Sequence, residues 1–149
     1  ITYNAAITAC EKGQHWNEAL LLLGEMQEKG LQPDTITYNA IISACEKSQE
    51  WEWALDSLRE MRRRTLHPNI VTHNAAISAL EKGEQWERSL DLLQAMQGRE
   101  IHPDVVTYSA VVSACGRGQQ WQHALTLLRQ MPGQAVKPNL ITYNAAISA

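Results

Sequence analysis

The sequence predicts an all-α fold, a solenoid of antiparallel helix-turn-helix repeats, and three observations lead there. First, the chain repeats on itself at an offset of 35 residues: Tyr3, Tyr38, His73, Tyr108 and Tyr143 are equivalent. Second, the same offset links Trp16, Trp51, Trp86 and Trp121, then Met26, Met61, Met96 and Met131, then Pro33, Pro68, Pro103 and Pro138, so no unit gains or loses a residue. Third, each unit carries two stretches of helical periodicity split by a short break, the pattern of a stacked helix pair.

The first unit justifies its elements in order. Residues 1–13 form one helical pattern, helix A, and Gly13 with Gln14 breaks it. Residues 16–29 form helix B, which Gly30 and Pro33 close before the next unit begins. Loops this short make the two helices antiparallel neighbours. The array divides into residues 1–34 (a first repeat without its first residue), 35–69, 70–104, 105–139, and 140–149 as the start of a fifth. Beginning at the second position of a unit and stopping within a helix, the chain reads as an internal segment of a longer array.

At 149 residues and 44% hydrophobic, the composition alone would suit one ordinary domain, but repeats bury apolar surface only against their neighbours. The apolar stretches are far too short to span a bilayer, so no membrane partner is expected. A net charge of −3 argues against bulk electrostatic attraction to nucleic acid. Cys10, Cys45 and Cys115 share one repeat position that Leu80 fills in the remaining full unit, so the position asks for a small apolar side chain. The five histidines follow no ligand spacing. No metal, cofactor or small-molecule substrate is expected.

On a wheel of about 100° per residue, helix A separates two faces. Tyr3, Ala6, Ile7 and Cys10 form an apolar stripe for helix B, while Ile1, Asn4, Thr8 and Lys12 line the other side. Ala5 and Ala9 flank that side and are small enough for successive A helices to approach closely. Its aliphatic position recurs as Ile1, Ile36, Val71, Val106 and Ile141; its amide position as Asn4, Asn39, Asn74, Ser109 and Asn144; its cation as Lys12, Lys47, Lys82 and Arg117. Helix B buries Ala19, Leu20, Leu23 and Met26 and turns Glu18, Glu25 and Glu28 outward, which places much of the acidic charge on the other wall. Glu11, Glu46 and Glu81 remain beside the cations and dilute their field.

One aliphatic, one amide and one cation per unit suit an extended polymer with a regular repeat. In a single-stranded nucleic acid, phosphates would meet the Lys/Arg row, base edges the Asn/Ser row and base faces the aliphatic row. A plainer reading has the Asn capping its helix and the Lys matching the helix dipole, which leaves the exposed aliphatic row unexplained. A protein-interaction scaffold is the alternative function, because helical-repeat arrays also hold peptides in concave grooves. Carboxylates and histidines recur once per unit and never gather with a nucleophile, so the segment reads as no enzyme.

The unit ITYNAAITACEKGQHWNEALLLLGEMQEKGLQPD resembles a pentatricopeptide repeat: YNA-I near the start, EAL in helix B, Met four residues before Gly, and a closing PD or PN. The likeness covers the whole chain. It implies a right-handed α-solenoid that binds single-stranded RNA at one nucleotide per unit, with the fifth and last residues of each unit choosing the base. Those residues are Asn4 with Asp34, Asn39 with Asn69, Asn74 with Asp104, and Ser109 with Asn139, implying U, C, U and A, or 5′-UCUA-3′. Asn144 would start a fifth reader. By the same resemblance Ile1, Ile36, Val71, Val106 and Ile141 sandwich bases, and Lys12, Lys47, Lys82 and Arg117 contact phosphates. The uniform repeat length resembles the pure class of such arrays, and the family implies a mitochondrial or plastid setting and a role in RNA processing, stability or translation. Three departures stand out. Trp16 and its equivalents replace smaller apolar residues and are expected to pack between units. His73 replaces Tyr and is expected to be neutral and hydrogen-bonded. Pro132 with Gly133 should end the fourth helix B early.

Overall fold

The computed structural model describes residues 2–149, so Ile1 lies outside the described residues. Among those described, helices α1–α9 alternate as A and B elements, with no strand: α1 (Thr2–Lys12), α2 (Trp16–Glu28), α3 (Thr35–Lys47), α4 (Trp51–Arg63), α5 (Ile70–Lys82), α6 (Trp86–Gly98), α7 (Val105–Arg117), α8 (Trp121–Gln130) and α9 (Leu140–Ile147). The last B helix ends three residues sooner than its counterparts, and a 3-10 turn over Pro132–Gln134 follows, as the proline requires.

The chain forms two compact units, residues 1–79 and 80–149. In the first, α1 packs beside α3, and α2 packs against both. The core here is Ile7, Ala19, Tyr38, Ile41, Ile42, Cys45, Leu58, Met61 and Ile77, all with almost no solvent contact. In the second, α7 packs beside α9 and against α8 and α6, around Leu80, Leu93, Met96, Tyr108, Val111, Val112, Cys115 and Met131. Burial pushes the Cys45 thiol up to about 12 and the Cys115 thiol up to about 11, so both behave as apolar core groups.

The A-to-B turns share one backbone feature. The residue that breaks each A helix by adopting a left-handed backbone is Gln14, Gln49, Glu84 or Gln119, with φ between 56° and 62°, and not the preceding glycine of the first turn. After helix B the same conformation recurs at Gly30, Thr65, Glu100 and Ala135, where only the first unit has the residue suited to it.

Two members of the Trp row meet rings of the following repeat, whereas Trp121 is 54% exposed. Trp16 meets Trp53 at 5.9 Å between ring centroids, and Trp86 meets His123 at 5.4 Å. His73 is fully buried, with Nδ1 2.9 Å from the Asn69 carbonyl and Nε2 3.0 Å from Arg62 Nη2. A guanidinium only donates, so Nε2 accepts and Nδ1 carries the proton, which makes the ring neutral.

Candidate nucleic-acid interface

The A helices bring the sequence-derived rows to the surface within each unit. Ile36 and Val71 are 63% and 61% exposed in the first unit, and Val106 and Ile141 are 57% and 67% exposed in the second. Four bulky β-branched side chains left in water at the start of a helix are not core residues. Asn4, Asn39, Asn74 and Ser109 are half-buried, and Asn144 is exposed.

The capping role considered for the Asn row belongs to other residues. Asp34 caps α3: its Oδ1 accepts the Thr37 backbone N–H at 2.9 Å, and the Asp34 N–H donates back to Thr37 Oγ1 at 3.1 Å. Asn69 accepts the Thr72 N–H at 3.0 Å, Asp104 the Thr107 N–H at 2.9 Å, and Asn139 the Thr142 N–H at 3.0 Å. The proposed closing partner of each pair is therefore the N-cap of the following helix. Aspartate and asparagine cap about equally well, so helix stability leaves the choice between them open. The hydrogen bond from the Thr37 backbone holds the Asp34 carboxyl below the usual carboxylate range; partial burial opposes this, and the Asn4 amide reinforces it.

In the first unit each Asn is tied across the repeat boundary. Thr37 Oγ1 donates to Asn4 Oδ1 at 2.6 Å, and Asn4 Nδ2 lies 3.4 Å from Asp34 Oδ1. Thr72 Oγ1 likewise donates to Asn39 Oδ1. In the second unit the Ser109 and Thr142 hydroxyls are 2.8 Å apart. The threonines Thr37, Thr72, Thr107 and Thr142 are all fully buried. Sequence reasoning passed over this row, although it recurs at the same offset as the tyrosines beside it.

The cation row is less free than its spacing suggests. Glu11 Oε1 accepts from Lys47 Nζ at 2.8 Å and from Ser43 Oγ at 3.0 Å. Glu46 accepts from Ser78 Oγ at 3.0 Å. In the second unit Glu81 accepts from Ser113 Oγ at 2.8 Å and faces Arg117 Nε at 3.4 Å. Burial pushes the Glu11 carboxyl up, but the hydrogen bonds from Lys47 and Ser43 and the charges of Lys47 and Lys12 outweigh it and hold the carboxyl below its ordinary value. The expected dilution of the positive field is thus a set of direct contacts between repeats. Lys12 is exposed on α1 and Lys82 is half-buried on α5.

Comparison with known proteins places this geometry. A family model described as a pentatricopeptide repeat domain matches residues 1–48, 21–82 and 91–149, and a PPR repeat model matches residues 71–101. The chain belongs to the pentatricopeptide repeat family. Its fold is similar to that of the maize pentatricopeptide repeat protein PPR10, at 31% identity and a TM-score of 0.80 over 98% of this chain and 21% of that one. PPR10 in complex with an 18-nt psaJ RNA element matches at 24% identity and a TM-score of 0.85, again over 98% and 21%. The PPR domain of Arabidopsis thaliana protein-only RNase P 1, in complex with tRNA, matches at 20% identity and 0.84 over 96% and 76%. The chain thus spans about a fifth of the length of the PPR10 chains (21%). No curated protein matches it by sequence. The all-α helical-repeat solenoid expected from the sequence is the fold of this PPR chain.

Proposed function

We propose that this PPR segment binds single-stranded RNA, one nucleotide per repeat, with a preference for 5′-UCUA-3′. The observation that supports it most is the hydrogen-bonding state of the paired residues. In the first repeat the Asn4 carbonyl oxygen is occupied by Thr37, so the amide offers a donor, and the neighbouring carboxylate Asp34 offers only acceptors. A donor beside an acceptor complements uracil, which presents carbonyl oxygens and N3–H. In the second repeat the Asn69 carbonyl is taken by Thr72, so its amide nitrogen offers a donor instead. Cytosine presents an unprotonated N3 and a carbonyl oxygen, which two donors match. Asn74 with Asp104 reads U, and Ser109 with Asn139 reads A, by family resemblance.

Exposed Ile36, Val71, Val106 and Ile141, with Ile1, then provide the surfaces on which bases rest, and Lys12, Lys47, Lys82 and Arg117 the phosphate contacts. Stacking at roughly 1–3 kcal/mol per base is offset by several kcal/mol for association, so four repeats bind weakly. The solved complexes of PPR10 and of the RNase P domain with RNA support the polymer class. The repeats supply recognition and no catalysis, and the natural setting is a mitochondrial or plastid transcript whose processing, stability or translation depends on that recognition.

Fluorescence anisotropy with short RNAs tests this reading. UCUA-containing RNA should bind more tightly than the same RNA with G opposite the third repeat, and Asn74→Thr should restore binding to the G-bearing RNA. Affinity should also fall with salt, by a slope of roughly 0.7 per phosphate contact. Equal binding to every RNA, or none, would favour a protein-interaction scaffold.

A further inference from the structure

The geometry points to Thr37 and Thr72 as specificity-determining positioning residues: each fixes, from the next repeat, which hydrogen-bonding group the preceding repeat's asparagine shows to a base. This rests on the RNA-reading function proposed above and adds a residue to it. An asparagine amide is two-faced. Turned one way it presents two N–H donors, turned the other way a carbonyl acceptor, and the two orientations are nearly equal in shape. Alone, Asn4 would therefore be a poor selector, because a donor suits the carbonyl edge of a pyrimidine while an acceptor suits the N–H groups of guanine.

Thr37 biases that choice. Its hydroxyl has one proton and three neighbours: Asn4 Oδ1 at 2.6 Å, Asp34 Oδ1 at 2.9 Å and the Asp34 N–H at 3.1 Å. The backbone N–H is a donor, so the hydroxyl accepts it, and its own proton goes to the nearer oxygen, Asn4 Oδ1. Asp34 Oδ1 needs no second donor from Thr37, because the Thr37 backbone N–H already supplies one at 2.9 Å. The alternative, with the proton turned to Asp34 Oδ1 and the second lone pair accepting a flipped amide, uses the longer contact and an oxygen that already accepts the Thr37 N–H, so the hydroxyl favours the unflipped Asn4. Flipping Asn4 would exchange the 2.6 Å hydroxyl-to-carbonyl contact for an N–H₂ donor on the hydroxyl's second lone pair and would send the hydroxyl proton to the more distant Asp34 Oδ1 at 2.9 Å. Thr72 holds Asn39 by the same set of contacts, with Asn69 as the cap. The readout of one base is therefore a three-residue unit spanning two repeats: the reader, the cap, and the threonine two residues into the next A helix.

The test is base discrimination at one position. For the wild-type chain, anisotropy compares RNA containing UCUA with GCUA, altered at the first base, and UGUA, altered at the second. Thr37→Val, which keeps the shape and removes the hydroxyl, should reduce the U-over-G preference at the first base by about fivefold to tenfold, the worth of one hydrogen bond, and leave the second base's preference intact. Thr37→Ser, which keeps the hydroxyl, should restore the first preference. Thr72→Val should show the mirror pattern, losing the second preference only. A wild-type chain that does not discriminate at any base sinks the RNA-reading function itself. A wild-type chain that discriminates, with Thr37→Val and Thr72→Val discriminating equally well, overturns the positioning role. Uniform loss across all bases that serine does not rescue overturns it too, because threonine would then be structural only. Should both valine variants melt below the assay temperature, side-chain amide NMR of the wild-type chain decides: a single Asn4 orientation with Nδ2 away from Thr37 supports the inference, and two exchanging orientations overturn it.

Discussion

Replacing Glu11 by Gln should tighten RNA binding without sharpening its sequence preference. Glu11 holds Lys47 at 2.8 Å. A phosphate oxygen sharing that ammonium would sit about 5 Å from the carboxylate if its own contact is of similar length. Two unit charges at that separation repel by about 0.8 kcal/mol in water, and screening at physiological salt removes about half of it. Neutralising Glu11 should therefore raise affinity about fourfold at low salt and about twofold near 0.15 M, for every RNA alike. Adding Glu81→Gln in the second unit, beside Arg117, should multiply these to roughly sixteenfold and fourfold if the two sites act independently. Glutamine still accepts from Ser43, so the cost to folding stays within about 1 kcal/mol, the range for a partly exposed pair. Anisotropy titrations at two salt concentrations, with matched and mismatched RNA, read both effects. An unchanged or weaker affinity at low salt would show that the Lys47 row does not meet phosphate; a gain confined to matched RNA would place the charge at the base edges instead.

Three further perturbations test the scaffold and the cap. Asp34→Ala removes the acceptor for Thr37 N–H and should cost about 1 kcal/mol in denaturant unfolding, whereas Asp34→Asn should be nearly neutral in stability and shift the first base from U toward C in anisotropy. Because the folded Asp34 carboxyl is held below its unfolded value, its contribution is present above the ordinary carboxylate pKa and is lost as pH falls through the lower folded value, so melting temperature against pH should show acid loss that Asp34→Asn lacks. Thr65 adopts φ 57°, a conformation costing a β-branched residue roughly 1–2 kcal/mol, and Thr65→Gly should recover about 1 kcal/mol of that in thermal unfolding. A Cβ on Gly118 would lie 2.3 Å from Trp86 Cδ1, so Gly118→Ala should destabilise the second unit by about 1–3 kcal/mol and alter the fluorescence of Trp86.

The sequence made the helices legible because each is short, amphipathic and repeated without slippage. The exposed aliphatic row was legible for a related reason: Ile36, Val71 and Val106 fall on the face opposite the stripe of Tyr38 and Ile42, and a wheel separates such faces. Turn conformation was less so. The sequence places the break after α1 at Gly13 with Gln14, without saying which of the two carries the left-handed backbone; it is Gln14, as it is Gln49, Glu84 and Gln119 in the other units. The Pro132–Gly133 departure was read from proline's missing N–H and fixed φ, which act locally and need no partner.

What the sequence hid is contact that crosses a repeat boundary. Asn4 meets Thr37, 33 residues on, and Glu11 meets Ser43 and Lys47, 32 and 36 on. In a chain with a strict period of 35, every position is correlated with its own copies, so these offsets are drowned by the repeat itself. Thr37 then reads as an indifferent helix former beside a core tyrosine, and Glu11 as a charge that dilutes the cation field without a named partner in the next repeat. The distinction appears only when two copies are set side by side, with the A helix of one repeat against the A helix of the next. Residues facing that seam are seen by two repeats at once. For that reason a single repeat, cut out and read alone, holds neither its oriented asparagine nor the counter-ion of its lysine.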